Sequence, residues 1–157
     1  MITRQELLRL LDDRCIPYGI TEHAPVFTIE EMLAAGLPYP GIVAKNLFVR
    51  DDKKRGYYLI TVREDRRVDL KEFQARFGTR KLSFASEEDL MKLLGLKKGS
   101  VTPFGLLNDG EHRVRFFLDG DLDRLGIHPM ENTATVWIAA EDLVRLLGEY
   151  GFETTRF

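Results

Sequence analysis

The chain has 157 residues, of which 44% are hydrophobic and 31% charged, so its composition is that of a folded globular protein and excludes a disordered one. No apolar run approaches the roughly 20 residues that a membrane-spanning helix needs, and the single cysteine, Cys15, excludes an internal disulfide framework. Residues 1–14 form an amphipathic, acid-containing segment rather than a signal peptide, so we expect a cytoplasmic protein without a membrane partner.

The formal net charge is −2, but the charges are unevenly distributed. Residues 53–98 contain 13 Lys and Arg against 7 Asp and Glu, whereas the rest of the chain contains 10 against 18. A basic segment of this kind can steer a polyanion toward an acidic protein. Solvated helix faces explain the same counts, and the counts alone favour that simpler interpretation.

Helix-capping signals and alternating apolar residues predict an irregular succession of helices and strands. Capping boxes at Thr3 with Glu6 and at Thr28 with Glu31 mark the starts of two helices, and a charged turn over residues 51–56 joins the two strands of a hairpin. In chain order the patterns predict helix 3–14, strand 18–22, helix 28–36, strands 42–50 and 56–63, helix 68–77, strand 82–85, helix 86–94, strands 114–118 and 133–138, and helix 141–147.

These elements predict one domain over residues 1–157, because no internal repeat, linker or low-complexity segment interrupts the pattern. Strands and helices interleave without a strict βαβ alternation, and at least one pair of strands is a hairpin. The predicted class is therefore α/β or mixed α+β, with the strands in a mixed sheet.

Two polar residues interrupt the apolar strand over residues 42–50. A lysine within a buried strand must be paired, neutral or directed into a cavity, because an unpaired buried charge is too costly, and this favours a cavity-facing Lys45. A lysine whose ammonium reaches water at the strand end is the alternative. Since successive side chains alternate, Lys45 and Asn46 can touch one ligand only at a bulge or a strand end; otherwise Asn46 holds a neighbouring loop.

A loop rich in Gly, Ser, Thr and Pro lies between a predicted helix and an apolar run. Gly99 and Gly105 permit unusual backbone angles, Pro103 fixes one, and Ser100 and Thr102 add hydroxyl groups. Loops of this composition can direct several N–H groups at one oxygen or phosphate. Most such loops are only turns, so the signal is weak on its own.

The chain contains three histidines. His128 stands before Pro129, which favours an extended backbone at the entrance of the strand over 133–138. His23 and His112 lie at a strand end and in a polar turn, and a surface or hydrogen-bonded role is expected for both. No Cys/His cluster has metal-ligand spacing, and no P-loop, dinucleotide-binding or nucleophile-elbow motif is present, so neither a metal nor a cofactor is expected.

The polar interruptions follow one another in a recognisable order. That order is Ala44-Lys45-Asn46-Leu47-Phe48, Tyr57-Tyr58-Leu59, Gly99-Ser100-Val101-Thr102-Pro103, and His128-Pro129 ahead of Asn132-Thr133-Ala134-Thr135-Val136. Over nearly the whole chain this order resembles the YbaK/prolyl-tRNA editing family. The resemblance implies a sheet or partial barrel wrapped by helices, and hydrolysis in trans of wrongly aminoacylated tRNA.

Within that family, the chain is most similar to the freestanding alanyl-tRNA(Pro) deacylases (ProXp-ala, also called PrdX). This similarity rests on the Lys45 and His128 stretches and on Leu106-Leu107-Asn108-Asp109. The branch that acts on cysteinyl-tRNA(Pro) is the nearer alternative. A non-catalytic tRNA-binding module and a small-molecule carrier are the alternatives from other functional classes.

The resemblance also implies a set of site residues. Lys45, Asn46 and His128 would be the catalytic groups. The donor loop for the developing oxyanion would be formed by Gly99, Ser100, Val101, Thr102 and Pro103. Such a site complements a synthetase that cannot exclude the smaller alanine by binding alone. Water, assisted by the 2′-hydroxyl of the substrate, would attack the ester, so no side-chain nucleophile is needed.

The expected partner is the acceptor end of aminoacyl-tRNA(Pro), with prolyl-tRNA synthetase as a second candidate. Phosphate-binding residues are expected in the basic segment, where they neighbour the implied site in sequence. The candidates are Lys53, Lys54, Arg55, Lys97 and Lys98.

Overall fold

Residues 1–25 and 42–157 are described by the computed structural model of the chain. The α-helices in this part are α1 (Arg4–Asp13), α2 (Leu70–Phe77), α3 (Glu87–Leu94) and α4 (Ala140–Glu149), and a 3₁₀-helix spans Pro103–Asn108. The strands are β1 (Tyr18–Glu22), β2 (Ile42–Asp51), β3 (Tyr57–Arg63), β4 (Leu82–Phe84), β5 (Val114–Leu118), β6 (Arg124–Ile127), β7 (Ala134–Ala139) and β8 (Thr154–Arg156). These strands join one mixed sheet, which confirms the predicted mixed α+β class. None of the described helices combines the length and the apolar character that crossing a membrane requires.

The sheet is centred on β2, which pairs with three neighbours. Along one edge, β2 is antiparallel to β3 without interruption over residues 44–50. On the other edge, Ile42 and Val43 pair in parallel with β6, and residues 49–51 pair with β4. The order along the sheet is β1-β7-β6-β2-β3-β5-β8, with β4 as the additional partner of β2.

The second edge of β2 is therefore split. The pairing with β6 stops at Val43 and the pairing with β4 starts at Val49, so in the described part of the chain no strand pairs with the residues between them on that edge. The Phe48 carbonyl accepts a hydrogen bond from the Ala85 N–H (3.0 Å), which leaves residues 44–47 along the opening. We call this opening between β6 and β4 the β2 gap. Lys45 and Asn46, the two polar residues that interrupt this apolar strand, lie along the β2 gap.

Two hydrophobic clusters cover the two faces of the sheet. On one face, here called the α2 face, Ile60 of β3 belongs to a cluster with Phe73 of α2. On the other, here called the α4 face, Leu59 belongs to a larger cluster with Leu143 of α4. Because side chains alternate along a strand, the odd-numbered residues of β2 face α2 and the even-numbered residues face α4.

The predicted helix caps are confirmed where the structure describes them. Thr3 and Glu6 form the reciprocal capping box of α1, and the Ser86 side chain accepts a backbone hydrogen bond in the first turn of α3. Gly78, with φ of 66°, ends α2 in the left-handed region. The second predicted capping box, over residues 28–31, and the loop after it lie outside the described residues.

Two short strands and the 3₁₀-helix are absent from the sequence-based prediction. Strands β6 and β8 are too short to display an alternating pattern, and β6 contains a glycine that resembles a loop signal. That glycine, Gly126, is required by packing, since a Cβ at this position would lie 2.5 Å from Cζ3 of Trp137 on β7. The large indole ring thus occupies the space that a side chain of β6 would need.

Candidate active site

Lys45 lies at the β2 gap on the α2 face, opposite Val62 of β3. Its side chain is half-buried, and Nζ donates a hydrogen bond to the carbonyl oxygen of Arg66 (2.5 Å) in the turn after β3. A carbonyl satisfies a donor but does not neutralise the charge. Among the described residues Lys45 takes part in no ion pair. Its charge acts at longer range on Asp65, whose pKa is lowered by the hydrogen bond to Arg63 and further by the Lys45 ammonium.

Asn46 points to the opposite face from Lys45. Its Oδ1 accepts a hydrogen bond from the hydroxyl of Thr61 (2.6 Å), which is buried directly across from it on β3. The β2–β3 register has no bulge over residues 44–50, and β2 continues to Asp51. Asn46 therefore holds the neighbouring strand rather than a loop, and a ligand that contacts both side chains must reach through the β2 gap.

His128 directly follows β6. It lies two residues after Gly126, and Lys45 lies two residues after Val43, which is the partner of Gly126 on β2. Extended past its last pair, this register puts Lys45 and His128 on the same face of the sheet, the α2 face. The His128 ring is half-buried, and Nδ1 donates a hydrogen bond to the carbonyl of Ala134 (2.8 Å). Because a carbonyl only accepts, Nδ1 carries the proton, and Nε2 of the neutral ring presents its lone pair.

Burial lowers the pKa of His128 below its ordinary value of 6.5. The hydrogen bond to Ala134 raises the pKa, whereas the charge of a protonated His23 lowers it further, and the net direction is down. The two histidine rings have their centroids 6.0 Å apart. His128 is therefore a neutral imidazole at physiological pH, in the form that accepts a proton.

His23 belongs to this site although its position in the sequence gives no sign of it. As expected, it is hydrogen-bonded: Nδ1 donates to the Ala24 carbonyl (2.8 Å), and Nε2 lies 3.0 Å from the Thr135 hydroxyl. The pairing of β1 with β7 brings it beside His128. His112 is exposed and far from the site in the fold, with Nε2 bonded to the Tyr150 carbonyl (2.7 Å).

The Gly99–Pro103 loop connects α3 to the 3₁₀-helix. Gly99 has φ of 89°, in the left-handed region that favours glycine. The Ser100 N–H donates to the Lys97 carbonyl (3.0 Å), so this N–H closes a turn and is not free for a ligand. The Thr102 hydroxyl accepts from the Phe104 N–H (3.4 Å) and caps the 3₁₀-helix.

Two N–H donors of the loop have no partner in the described part of the chain. The N–H groups of Val101 and Thr102 meet no hydrogen-bond acceptor among residues 1–25 and 42–157. Val101 packs against the cluster that contains Ala44, so the loop lies on the α4 face with Asn46. The predicted site residues thus form two groups on opposite faces, and the β2 gap is the opening in the sheet between them.

The first set of predicted phosphate-binding residues lies far from Lys45. Lys53, Lys54 and Arg55 are exposed in the β2–β3 turn, where the Asp51 carboxylate accepts hydrogen bonds from the N–H groups of residues 53, 55 and 56 (2.9–3.0 Å). Burial raises the pKa of Asp51, but these donors outweigh it and hold the pKa below its ordinary value. Six residues of extended strand separate this turn from Lys45, a distance of about 20 Å.

The second set adjoins the donor loop. Lys97 and Lys98 are exposed directly before Gly99. The sequence analysis did not single out Arg66, whose carbonyl binds Lys45, or Arg67, which follows it. Arg67 is exposed, and Arg66 pairs with Asp119. In the described part of the chain no cluster of three or more His, Cys, Asp or Glu side chains could hold a metal ion.

Comparison with known proteins places the chain in a family. The model of the aminoacyl-tRNA editing domain matches residues 23–146. The chain is 42% identical over 154 residues to the prolyl-tRNA editing protein ProX of Acetoanaerobium sticklandii, covering 96% of this chain and 94% of ProX. It is 40% identical over 151 residues to the prolyl-tRNA synthetase associated domain-containing protein 1 of Danio rerio, covering 93% and 82%.

The fold has a solved counterpart. A crystal structure described as a "putative trans-editing enzyme for prolyl tRNA synthetase" matches with a TM-score of 0.71 at 21% identity, covering 99% of this chain and 97% of that one. The mixed sheet and its helices thus have the architecture of an editing-domain fold. The chain belongs to the aminoacyl-tRNA editing family, which confirms the family resemblance of its sequence.

Replacing His128 with asparagine should reduce the loss of stability on acidification. The folded-state pKa is depressed, so as the pH falls below 6.5 the unfolded chain binds a proton before the folded one and stability decreases. Asparagine keeps a donor for the Ala134 carbonyl but does not titrate. We expect urea denaturation at about pH 7.5 and about pH 5 to show a smaller decrease in the free energy of unfolding for His128→Asn than for the wild type. His112→Asn is the control, and equal decreases in His128→Asn and wild type would contradict the assignment.

Proposed function

We propose that the protein is a trans-editing aminoacyl-tRNA deacylase that hydrolyses alanine mischarged onto tRNA(Pro). The observation that carries the proposal is that a lysine ammonium and a neutral imidazole, those of Lys45 and His128, lie on the same face of the sheet where the pairing of β2 with β6 ends. Family membership and relatives named for prolyl-tRNA editing support it.

The proposed reaction is hydrolysis of the ester between the alanyl group and the 3′-terminal ribose. Water attacks the carbonyl carbon, and negative charge develops on the carbonyl oxygen. The bond from the acyl carbon to the ribose oxygen then breaks, the ribose oxygen takes up a proton, and free alanine leaves. The site must therefore stabilise an oxyanion, accept a proton from water and return one to the ribose.

The side chains at the gap suit these tasks. The Lys45 ammonium provides a positive charge for the carbonyl oxygen or the terminal phosphate. Nε2 of His128 can accept the proton of the attacking water, and the 2′-hydroxyl of the substrate assists the attack. The N–H groups of Val101 and Thr102 supply oxyanion donors for a substrate that passes through the gap. Asn46 fixes the position of β2 against Thr61.

The proposed selectivity follows from size. A synthetase pocket that accepts proline cannot strongly exclude the smaller alanine, so a second hydrolytic site that admits alanine and excludes proline corrects the error. Cysteine satisfies the same size criterion, and a cysteinyl-tRNA(Pro) deacylase is the alternative. A non-catalytic tRNA-binding module accounts less well for the site, because phosphate binding does not require a lysine half-buried within an apolar strand.

We further propose that the chain acts as one editing domain over residues 1–157, in the cytoplasm, on the acceptor end of aminoacyl-tRNA(Pro). The family match over residues 23–146 and the sheet that joins β1 to β8 support one domain. Prolyl-tRNA synthetase is a candidate partner, supported by the synthetase-associated name of a relative.

The direct test is to incubate the protein with tRNA(Pro) charged separately with Ala, Cys, Ser and Pro. We expect release of alanine in a buffer with EDTA and without ATP, and little release of proline. Release of cysteine alone would assign the protein to the other branch. Loss of alanine release in EDTA would refute a metal-independent reaction, and release of no amino acid would favour the binding module.

Lys45→Met should abolish hydrolysis without unfolding the protein. Loss of one preorganised electrostatic contact costs about 10²- to 10³-fold in rate. The melting temperature should stay equal or rise, because methionine keeps the apolar stem and the lost hydrogen bond, worth about 1 kcal/mol, is offset by removal of a half-buried charge. Single-turnover deacylation and thermal melts measure the two effects. Lys81→Met, exposed directly before β4, is the matched control, and full activity of Lys45→Met would show the lysine to be structural only.

We also propose that Lys97 and Lys98, together with Lys53, Lys54 and Arg55, bind tRNA phosphates without reading bases. Neutralising Lys97 and Lys98 together should raise KM and lower the slope of log K against log salt by about 0.7–0.9 for each lost phosphate contact. The single-turnover rate at saturating tRNA should not change, because neither lysine contacts the ester. Arg9→Ala, exposed on α1, is the control. An unchanged salt slope would place the tRNA-binding surface elsewhere.

A further inference from the structure

The turn that follows β3 carries Glu64 and contacts Lys45 through the Arg66 carbonyl. The Arg66 N–H donates to the Arg63 carbonyl (3.0 Å), which closes a tight turn over residues 63–66. Arg63 pairs with Ala44 of β2, and the Arg66 carbonyl accepts the Lys45 ammonium. Glu64 therefore lies in a turn that contacts β2 at both ends, on the β3 side of Lys45.

One oxygen of the Glu64 carboxylate has no hydrogen-bond partner. Oε2 is shielded from solvent, and no donor among residues 1–25 and 42–157 reaches it. Lys45 donates to the Arg66 carbonyl instead and forms no ion pair with Glu64 in this part of the chain. A shielded carboxylate oxygen is costly to leave without a donor, so a donor from a ligand would be strongly favoured.

The other carboxylates around this turn are already occupied by the protein. Asp65 pairs with the Arg63 guanidinium (3.2 Å). Asp119 is buried and accepts hydrogen bonds from the N–H groups of Arg63 (3.1 Å) and Asp121 (2.9 Å), besides its ion pair with Arg66 (3.0 Å). These acids stabilise the turn, whereas Oε2 of Glu64 meets no donor in the described part of the chain.

We propose that Glu64 binds the α-ammonium group of the aminoacyl ester, an inference that rests on the proposed function. The substrate carries its ammonium one carbon away from the reacting carbonyl, and a carboxylate is the side chain that pairs with an ammonium. Glu64 and Lys45 then form two opposite charges that orient the two ends of this short unit, the ammonium and the ester. Glu64 as a whole is only partly buried, so its flexible side chain can turn toward the ligand.

The test compares two esters of equal size. In lactyl-tRNA(Pro) a hydroxyl group replaces the ammonium of alanyl-tRNA(Pro), and at about pH 7 most of the alanyl ester carries its charge. After correction for the spontaneous hydrolysis rate of each ester, the wild type should prefer the alanyl ester by about 10- to 100-fold in kcat/KM. Glu64→Gln should lose most of this preference by reacting more slowly with the alanyl ester alone, and it should melt at the wild-type temperature or higher. Glu111→Gln, exposed before β5, should behave as the wild type.

Two results would overturn the inference. One is a wild type that hydrolyses both esters equally well, a result that does not depend on whether the variant folds. The other is a Glu64→Gln protein that retains the wild-type preference or loses activity equally toward both esters. In either case alanyl-tRNA(Pro) is still hydrolysed by the wild type, so the proposed function survives. A wild type that hydrolyses neither ester would instead refute the proposed function itself.

Discussion

The uninterrupted pairing of β2 with β3 is the constraint on which the rest of the structure depends. It fixes the alternation of side chains over residues 44–50, so that Lys45 faces α2 and Asn46 faces α4. The other edge of β2 is divided between β6 and β4, which do not meet, and no strand in the described part of the chain pairs with residues 44–47 between them. In a sheet covered on both faces, such an opening is where a polar side chain can be placed without the full cost of burying it. The topology of the sheet thus determines where the site can be.

A second layer of interactions holds Lys45 in place. Its ammonium donates a hydrogen bond to the Arg66 carbonyl. The Arg66 guanidinium in turn pairs with buried Asp119 (3.0 Å) and lies over the Phe157 ring (4.3 Å). Burial raises the pKa of Asp119, but two backbone N–H donors and the Arg66 charge outweigh it and keep the pKa below its ordinary value. The carboxylate therefore stays charged at neutral pH. Through this series of contacts, the Asp119 carboxylate at the end of β5 helps to hold the Lys45 side chain in position.

Local features of the sequence were sufficient to predict much of the fold. The capping box at Thr3 and the break in the apolar pattern at Lys45 are encoded by a few neighbouring residues, so pattern analysis finds them. Features that depend on strand pairing were not accessible. The partnership of His23 with His128 joins residues more than a hundred positions apart, and the unsatisfied oxygen of Glu64 is defined by contacts that the fold does not make. Closeness in sequence is also not closeness in space, because an extended strand carries the β2–β3 turn about 20 Å from Lys45.

The contact between Gly126 and Trp137 has a practical consequence. Trp137 is the only tryptophan in the chain, it is buried, and its Nε1–H donates to the Thr21 hydroxyl (2.9 Å). Its ring lies against the glycine that precedes His128 by two positions. Indole emission depends on the polarity and hydrogen bonding around the ring. The protein thus carries a built-in optical reporter next to the β2 gap, and occupancy of that gap can be followed by intrinsic fluorescence without attaching a label.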